Sequence, residues 1–212
     1  MKLKSFGCSL IFGSELSDDG RDGPYATPSQ QTWPALLAQH WGYDYECYAR
    51  PGAGNLQILD RVLEHSVYSE PTIFLIGWSY NNRYDYRCDN RWRTILSHEE
   101  TELARTYYQH LQSAYQDQLL GLTYIKLAID QLKNKEHKFI MTTQDPDLFT
   151  TQSHSGITDL QNQIHPHLTW FEGMNFLQWS AYNKHKIGQN GHPLESAHRA
   201  AFEYISSTAS RQ

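Results

Sequence analysis

The sequence predicts an α/β fold in which a mostly parallel, five-stranded sheet is covered by helices on both faces. Short apolar runs alternate along the chain with stretches whose apolar residues recur every three or four positions. Parallel neighbours need long crossover connections, which such helical stretches supply. At 212 residues the chain is long enough to bury a core without disulfides or metal, and it contains no internal repeat, low-complexity tract or linker. The expectation is a single domain over residues 1–212.

Leu3 to Phe6 reads as a short buried strand, and Gly13 to Gln31, rich in Ser, Asp, Gly and Pro, as a loop long enough to act as a lid. Thr32 is placed to cap a helix carrying Trp33, Leu36, Leu37 and Trp41 on one stripe, with Gly42 placed to end it. Asp44 to Ala49 is a second strand, Arg50 to Gly54 a Pro/Gly turn, and Asn55 opens a helix with Ile58, Leu59, Val62 and Leu63 on its apolar stripe before Pro71. Thr72 to Trp78 is the third strand. Ser79 to Ser97 is polar, aromatic and irregular, a second candidate lid. Glu99 to about Asn134 is helical with an interruption near Gly121, and Lys138 to Thr143 is the fourth strand. Asp145 to Pro166 reads as a loop, Leu168 to Phe171 as a fifth strand, and Phe176 to Lys184 and Glu195 to Ile205 as the last two helices.

Composition narrows the function classes. With 18 basic against 23 acidic residues and no Lys/Arg run, the chain has nothing in sequence to track a phosphate backbone, and nucleic acid is not an expected partner. The apolar runs are too short to span a bilayer, and Met1-Lys2-Leu3-Lys4 is not followed by a long apolar stretch, so a soluble cytoplasmic protein without membrane contact is expected. Cys8, Cys47 and Cys88 are an odd set without C-x-x-C spacing, which argues for free thiols and against structural zinc. His165 and His167 flank Pro166 with no carboxylate or Cys at ligand spacing, so no metal is assigned. Gly52-Ala53-Gly54 lacks the third glycine of a dinucleotide fingerprint and follows the wrong strand, so no cofactor is expected.

Two residues carry the chemistry. Ser9 follows the first strand in Gly7-Cys8-Ser9, where a tight turn presents a hydroxyl and a backbone N–H at the sheet's edge; His192 lies in Gly191-His192-Pro193 before the last helix. A serine hydroxyl attacks at neutral pH only when an imidazole takes its proton, so the pair proposes a nucleophile and its base. Ligands gather beyond the carboxyl ends of parallel strands, and Ser9, Gly52-Ala53-Gly54-Asn55, Gly77-Trp78-Ser79 and His192 all fall at such positions.

In order and content these four segments resemble the SGNH (GDSL-like) hydrolases, serine esterases and acyl hydrolases with a three-layer, flavodoxin-like α/β/α fold. The resemblance makes Ser9 the nucleophile, with Cys8 in place of the usual Asp and turned toward the packing side, and makes His192 the general base. It implies an oxyanion hole of the Ser9 and Gly54 N–H groups, with Gly52 as the alternative glycine, and of Ser79, which stands where the family has Asn; Asn81 and Asn82 are candidate substitutes. Gln189 occupies the place of the family's acid, leaving either a Ser-His dyad or a carboxylate from elsewhere, for which Asp145, Asp147 and Glu195 are candidates. Trp78, Tyr80 and Arg83 are candidate substrate contacts, and His198 reads as a packed helix residue. The implied activity is hydrolysis of a small-molecule or glycan ester. A second reading is a binding module for a glycan, small ligand or partner protein that keeps the fold without catalysis, and the sequence leaves the oligomeric state open.

Overall fold

A computed structural model describes residues 1–20, 26–68, 70–150 and 154–209. Its central sheet is built from β1 (Lys2–Gly7), β2 (Asp44–Cys47), β3 (Thr72–Trp78) and β6 (Lys138–Thr143), all parallel, in the spatial order β2-β1-β3-β6. Both inner strands are buried on each face; Phe6, Phe74, Leu75 and Ile76 have no exposed surface. That is why β3 reads as a continuous apolar run rather than as alternation, whereas β1 buries Lys4 and Ser5 beside its apolar residues. The chain leaves β1 in one direction to reach β2 and returns past it to reach β3. This reversal opens a crevice between the carboxyl ends of β1 and β3, where such folds bind ligands.

Right-handed crossovers then assign the layers. The helix α2 (Trp33–Trp41) between β1 and β2 falls on one face, and α3 (Asn55–Ser66) and α5 (Ala114–Asn134), which connect strands in the opposite direction, fall on the other. Accordingly α2 packs on the last helix, α8 (Glu195–Ala209), and α3 packs on α5, which also meets α6 (Ser155–Ile164). Thr32 caps α2 through the Ala35 N–H and Gly42 ends it in the left-handed region, as their positions predict.

The expected fifth strand is reduced to one parallel bridge, in which Leu168 pairs with Met141 and the Thr169 N–H donates to the Met141 carbonyl at 2.7 Å. Ser79–Ser97 is not an irregular lid. It folds as a hairpin of β4 (Tyr84–Cys88) and β5 (Arg91–Ile95) closed by Asp89 and Asn90, both at positive φ, as a two-residue hairpin turn requires. The break in the long helical stretch lies not at Gly121 but between α4 (Glu102–His110) and Ser113, which caps α5. Gly121 sits inside α5 because the Asn81 side chain lies against it, where a Cβ would come within 2.1 Å of Oδ1. The span read as a loop from Asp145 to Pro166 contains a 3-10 turn at Pro146–Phe149 and α6; its residues 151–153, and 21–25 of the first candidate lid, lie outside the described residues. The short helix α7 (Phe176–Tyr182) forms where expected.

One buried carboxylate ties the hairpin to the sheet. Asp85 accepts from the Gly54 and Gln57 N–H groups, each at 3.0 Å, from Gln57 Nε2 at 3.0 Å and from Thr94 Oγ1 at 2.7 Å. It thereby caps α3, whose own N-cap Gly54 has no side chain to do so. Asp85→Ala strips the partner from two helix-end amides and is expected to lower the unfolding free energy by about 3 kcal/mol, read from urea denaturation.

Candidate active site

Ser9 sits where β1 turns directly into α1 (Ser9–Phe12). The turn is tight because Gly7 and Gly77, paired in register across β1 and β3, leave a notch that Ile11 fills; a Cβ on either glycine would lie within 2.5 Å of Ile11 Cγ1. Ser9 thus stands at the carboxyl end of an inner strand, with its N–H at the first helical position, where no intrahelical acceptor exists.

The structure brings Ser9 and His192 together across the length of the chain. Ser9 Oγ lies 2.8 Å from His192 Nε2, and His192 Nδ1 lies 2.6 Å from Glu15 Oε2. Glu15, and not Asp145, Asp147 or Glu195, is the carboxylate on the imidazole. Asp145 is turned to the N–H groups of Asn81 and Asp147, and Glu195 accepts from the Ser17 N–H. Asp147 lies on the exposed 3-10 turn beside Asp145. Gln189, in the place of the family's acid, is exposed.

Local folding explains how Glu15 reaches the imidazole. Gly13 ends α1 in the left-handed region, and Glu15 itself adopts φ 69°, a conformation that costs a residue with a Cβ roughly 1–2 kcal/mol. Its backbone N–H is held by Asp19 Oδ2 at 2.9 Å, and its carboxylate takes the Asn190 N–H at 3.0 and 3.1 Å. The loop carrying His192 is pinned in turn, the Gly188 N–H donating to the His192 carbonyl at 2.8 Å. A Cβ on Gly188 would come within 2.7 Å of the Glu15 carboxyl, so only glycine lets this loop lie against the acid.

Burial pushes the Glu15 carboxyl up, but the Asn190 N–H and the His192 ring outweigh it and hold it below its ordinary value of 4.5. A depressed folded-state value stabilises the protein above pH 4.5, and that contribution is lost as pH falls through the lower folded value. The Tm difference between the unmodified protein and Glu15→Gln is therefore expected to be largest near neutrality and to shrink below pH 4.5, as a pH series of thermal melts reads directly.

The other expected site residues are distributed differently. Cys8 is fully buried; its thiol donates to Gln144 Oε1 at 3.4 Å and its sulfur lies 3.9 Å from Ser9 Oγ, while the hydroxyl and not the thiol meets His192. The Gly54 N–H is taken by Asp85 and does not face Ser9's crevice unpaired. Ser79 is 1% exposed; its hydroxyl is buried without a partner among the described residues and its N–H donates to Asn55 Oδ1 at 2.7 Å. The Asn81 side chain accepts from Asn55 Nδ2 and is turned toward Gly121, while the Asn82 carbonyl accepts from Tyr108. Gly52 lies at positive φ in the turn that the Ala53 N–H closes onto Arg50.

Trp78 has no exposed surface and belongs to the core rather than to a binding rim, because the last residue of an inner strand is covered on both faces. Tyr80 lines a cavity of about 420 Å³ together with Asn81, Gln112, Asp117 and Asp145. Arg83 donates to the Ala53 carbonyl at 3.0 Å and lies over the Tyr80 ring at 5.4 Å. Burial pushes the Asp117 and Asp145 carboxyls up. His198 is packed in the core beside Phe176, accepts the Trp33 N–H at 3.2 Å, and is pushed down to about 3 by burial. His165 stacks on Trp170 and His167 lies 2.8 Å from Lys133 Nζ, so the two rings face different partners. Among the described residues no group of three His, Cys, Asp or Glu could hold a metal ion, and no helix is long and apolar enough to cross a membrane.

No protein-family model matches the chain, and no curated protein matches its sequence. Its fold, however, matches solved structures over nearly its whole length. One is the psychrotrophic esterase EstA from Pseudoalteromonas sp., with a TM-score of 0.55 at 13% identity, covering 99% of this chain and 97% of that one. A lipolytic protein of the G-D-S-L family from Veillonella parvula matches with a TM-score of 0.55 at 13% identity over 100% of both chains. A family two carbohydrate esterase from Clostridium thermocellum matches with a TM-score of 0.55 at 12% identity, over 100% of this chain and 63% of that one. With its parallel sheet, its two helical layers and these neighbours, the chain has the SGNH (GDSL-like) hydrolase fold.

Proposed function

We propose that the chain is a single-domain serine esterase or acyl hydrolase of the SGNH type, with Ser9 as nucleophile, His192 as general base and Glu15 as the acid that orients it. The observation that carries this reading is the unbroken row Glu15–His192–Ser9, joined at 2.6 and 2.8 Å. Both distances are within hydrogen-bond reach, as proton transfer requires. The Glu15 carboxylate fixes His192 with its proton on Nδ1, leaving Nε2 free to accept from Ser9. Ser9 Oγ then attacks the ester carbonyl while Nε2 takes its proton. The imidazolium so formed is stabilised by Glu15 and returns the proton to the leaving alcohol, and water repeats the sequence to release the acid. The Ser9 N–H, at the head of α1 where no intrahelical acceptor exists, is the oxyanion donor that this reading assigns.

The second reading, a binding module on the same fold, draws on one observation. The Gly54 N–H and the Ser79 hydroxyl, expected to complete the oxyanion hole, are respectively bound to Asp85 and buried. Turnover decides between the two. The unmodified protein is expected to hydrolyse 4-nitrophenyl acetate with saturation kinetics, and Ser9→Ala to leave only the background rate. Equal rates from the two proteins contradict the esterase reading, and no turnover from either favours the binding module.

A further inference from the structure

Beyond the Ser9 crevice, an open groove of about 550 Å³ runs between the turn at Arg50–Ala53, α3 and β5. Four arginines line it, Arg50, Arg61, Arg91 and Arg93, with the Trp92 ring among them. They come from three separate parts of a chain whose net charge is −5, so no basic run announces them in sequence and only the fold gathers them. None of the four forms an ion pair among the described residues.

Two of the carboxylates that act on Arg61, Asp85 and Asp60, already accept hydrogen bonds from other groups. Asp85 takes its four donors from Gly54, Gln57 and Thr94, and Asp60 accepts from Trp92 Nε1 at 2.9 Å. Arg61 is the most informative of the four. Its Nη2 donates to Gln57 Oε1 at 3.0 Å, but its Nη1 is buried without a hydrogen-bond partner among the described residues. Burial pulls its guanidinium below the usual value and the nearby positive charge of Arg50 pulls it further, while Asp85, Asp60 and Glu64 act in the opposite sense. Arg50 and Arg61 line one groove, neither in a direct ion pair among the described residues, and Arg61 keeps one donor idle. Their planar forks suit an oxyanion with two or three acceptor oxygens.

We propose that this groove binds a phosphate-bearing small molecule, its phosphate seated between Arg50 and Arg61, with Arg91 and Arg93 at the rim. The site is distinct from the Ser9 row but shares a wall with it. The Arg50 N–H donates to the Gly7 carbonyl at 3.0 Å, two residues before Ser9, and the Ala53 carbonyl holds Arg83.

Calorimetric titration of the full chain with pyrophosphate and with glycerol 3-phosphate, at fixed ionic strength, tests the proposal without reference to ester turnover. Saturable one-site binding is expected, weakened about tenfold or more by Arg50→Gln and further by Arg50→Gln combined with Arg61→Gln. Because Arg61 also braces Gln57, Arg93→Gln, which alters only an exposed side chain, serves as the second variant and is expected to weaken binding several-fold. Sedimentation with phosphatidylglycerol vesicles separates a lipid headgroup from a free phosphate compound. Binding of glycerol 3-phosphate with no retention on vesicles supports a free ligand; retention that glycerol 3-phosphate competes away supports a headgroup in the same groove. Retention without any response to the soluble phosphates overturns the proposal, as does phosphate binding that is indifferent to Arg50→Gln and Arg93→Gln.

Discussion

His192→Ala is expected to lower kcat for a short-chain aryl ester by about four to six orders of magnitude while the fold persists. Among the described residues the imidazole is the base in contact with Ser9 Oγ, and its ring is half-buried at the crevice rather than part of the core. His198→Ala is the informative contrast. That ring is fully buried, accepts the Trp33 N–H and joins α8 to α2, so its loss leaves a cavity and an unpaired amide. Its expected cost is about 2–4 kcal/mol of stability, with kcat changed only a few-fold below the transition. Equal losses of kcat in the two variants contradict the assignment of the base.

The second large effect belongs to Glu15. Glu15→Gln keeps the size of the side chain but removes the charge that stabilises the imidazolium, and its amide can hold the ring in the wrong tautomer. A drop of about 10⁴ in kcat with little change in KM is expected. Asp145→Asn, which alters a carboxylate turned to the Asn81 and Asp147 amides instead, is expected to leave the row intact. Steady-state kinetics on both variants reads the difference. A full rate in Glu15→Gln reduces the row to a Ser-His dyad.

Much of this arrangement is legible in the sequence, for reasons that are local. Thr32 and Gly42 mark the ends of α2 because capping chemistry needs only neighbouring residues, and β3 declares itself through an apolar run that burial on both faces demands. Ser9 and His192 are legible because each stands at a punctuated junction, one after a strand and one before a helix. Glu15 is not. It reaches His192 only because Gly13 stops α1 and Glu15 accepts a left-handed backbone that glutamate seldom adopts, and no spacing rule encodes that.

The hairpin at Tyr84–Ile95 is missed for a different reason. Its strands carry Arg, Asp and Tyr where a half-buried strand shows apolar alternation, since one strand supports a buried Asp85 and the other brings arginines to a groove. The Asp89-Asn90 pair between them was the available turn signal. Trp78 is expected among the substrate contacts but is fully buried, because aromatic content alone does not say which side of the last strand residue is covered.

The nucleophilic atom of this chain can be identified directly by covalent labelling. Treatment with a fluorophosphonate, followed by mass spectrometric mapping of the adduct, is expected to place the label on Ser9 in the unmodified protein. Labelling is expected to vanish in Ser9→Ala, to be strongly reduced in Glu15→Gln, and to persist in Cys8→Ala, whose thiol is buried against Gln144. An adduct on any other residue, or no adduct on the folded, unmodified protein across the neutral and mildly alkaline range, contradicts Ser9 as the nucleophile.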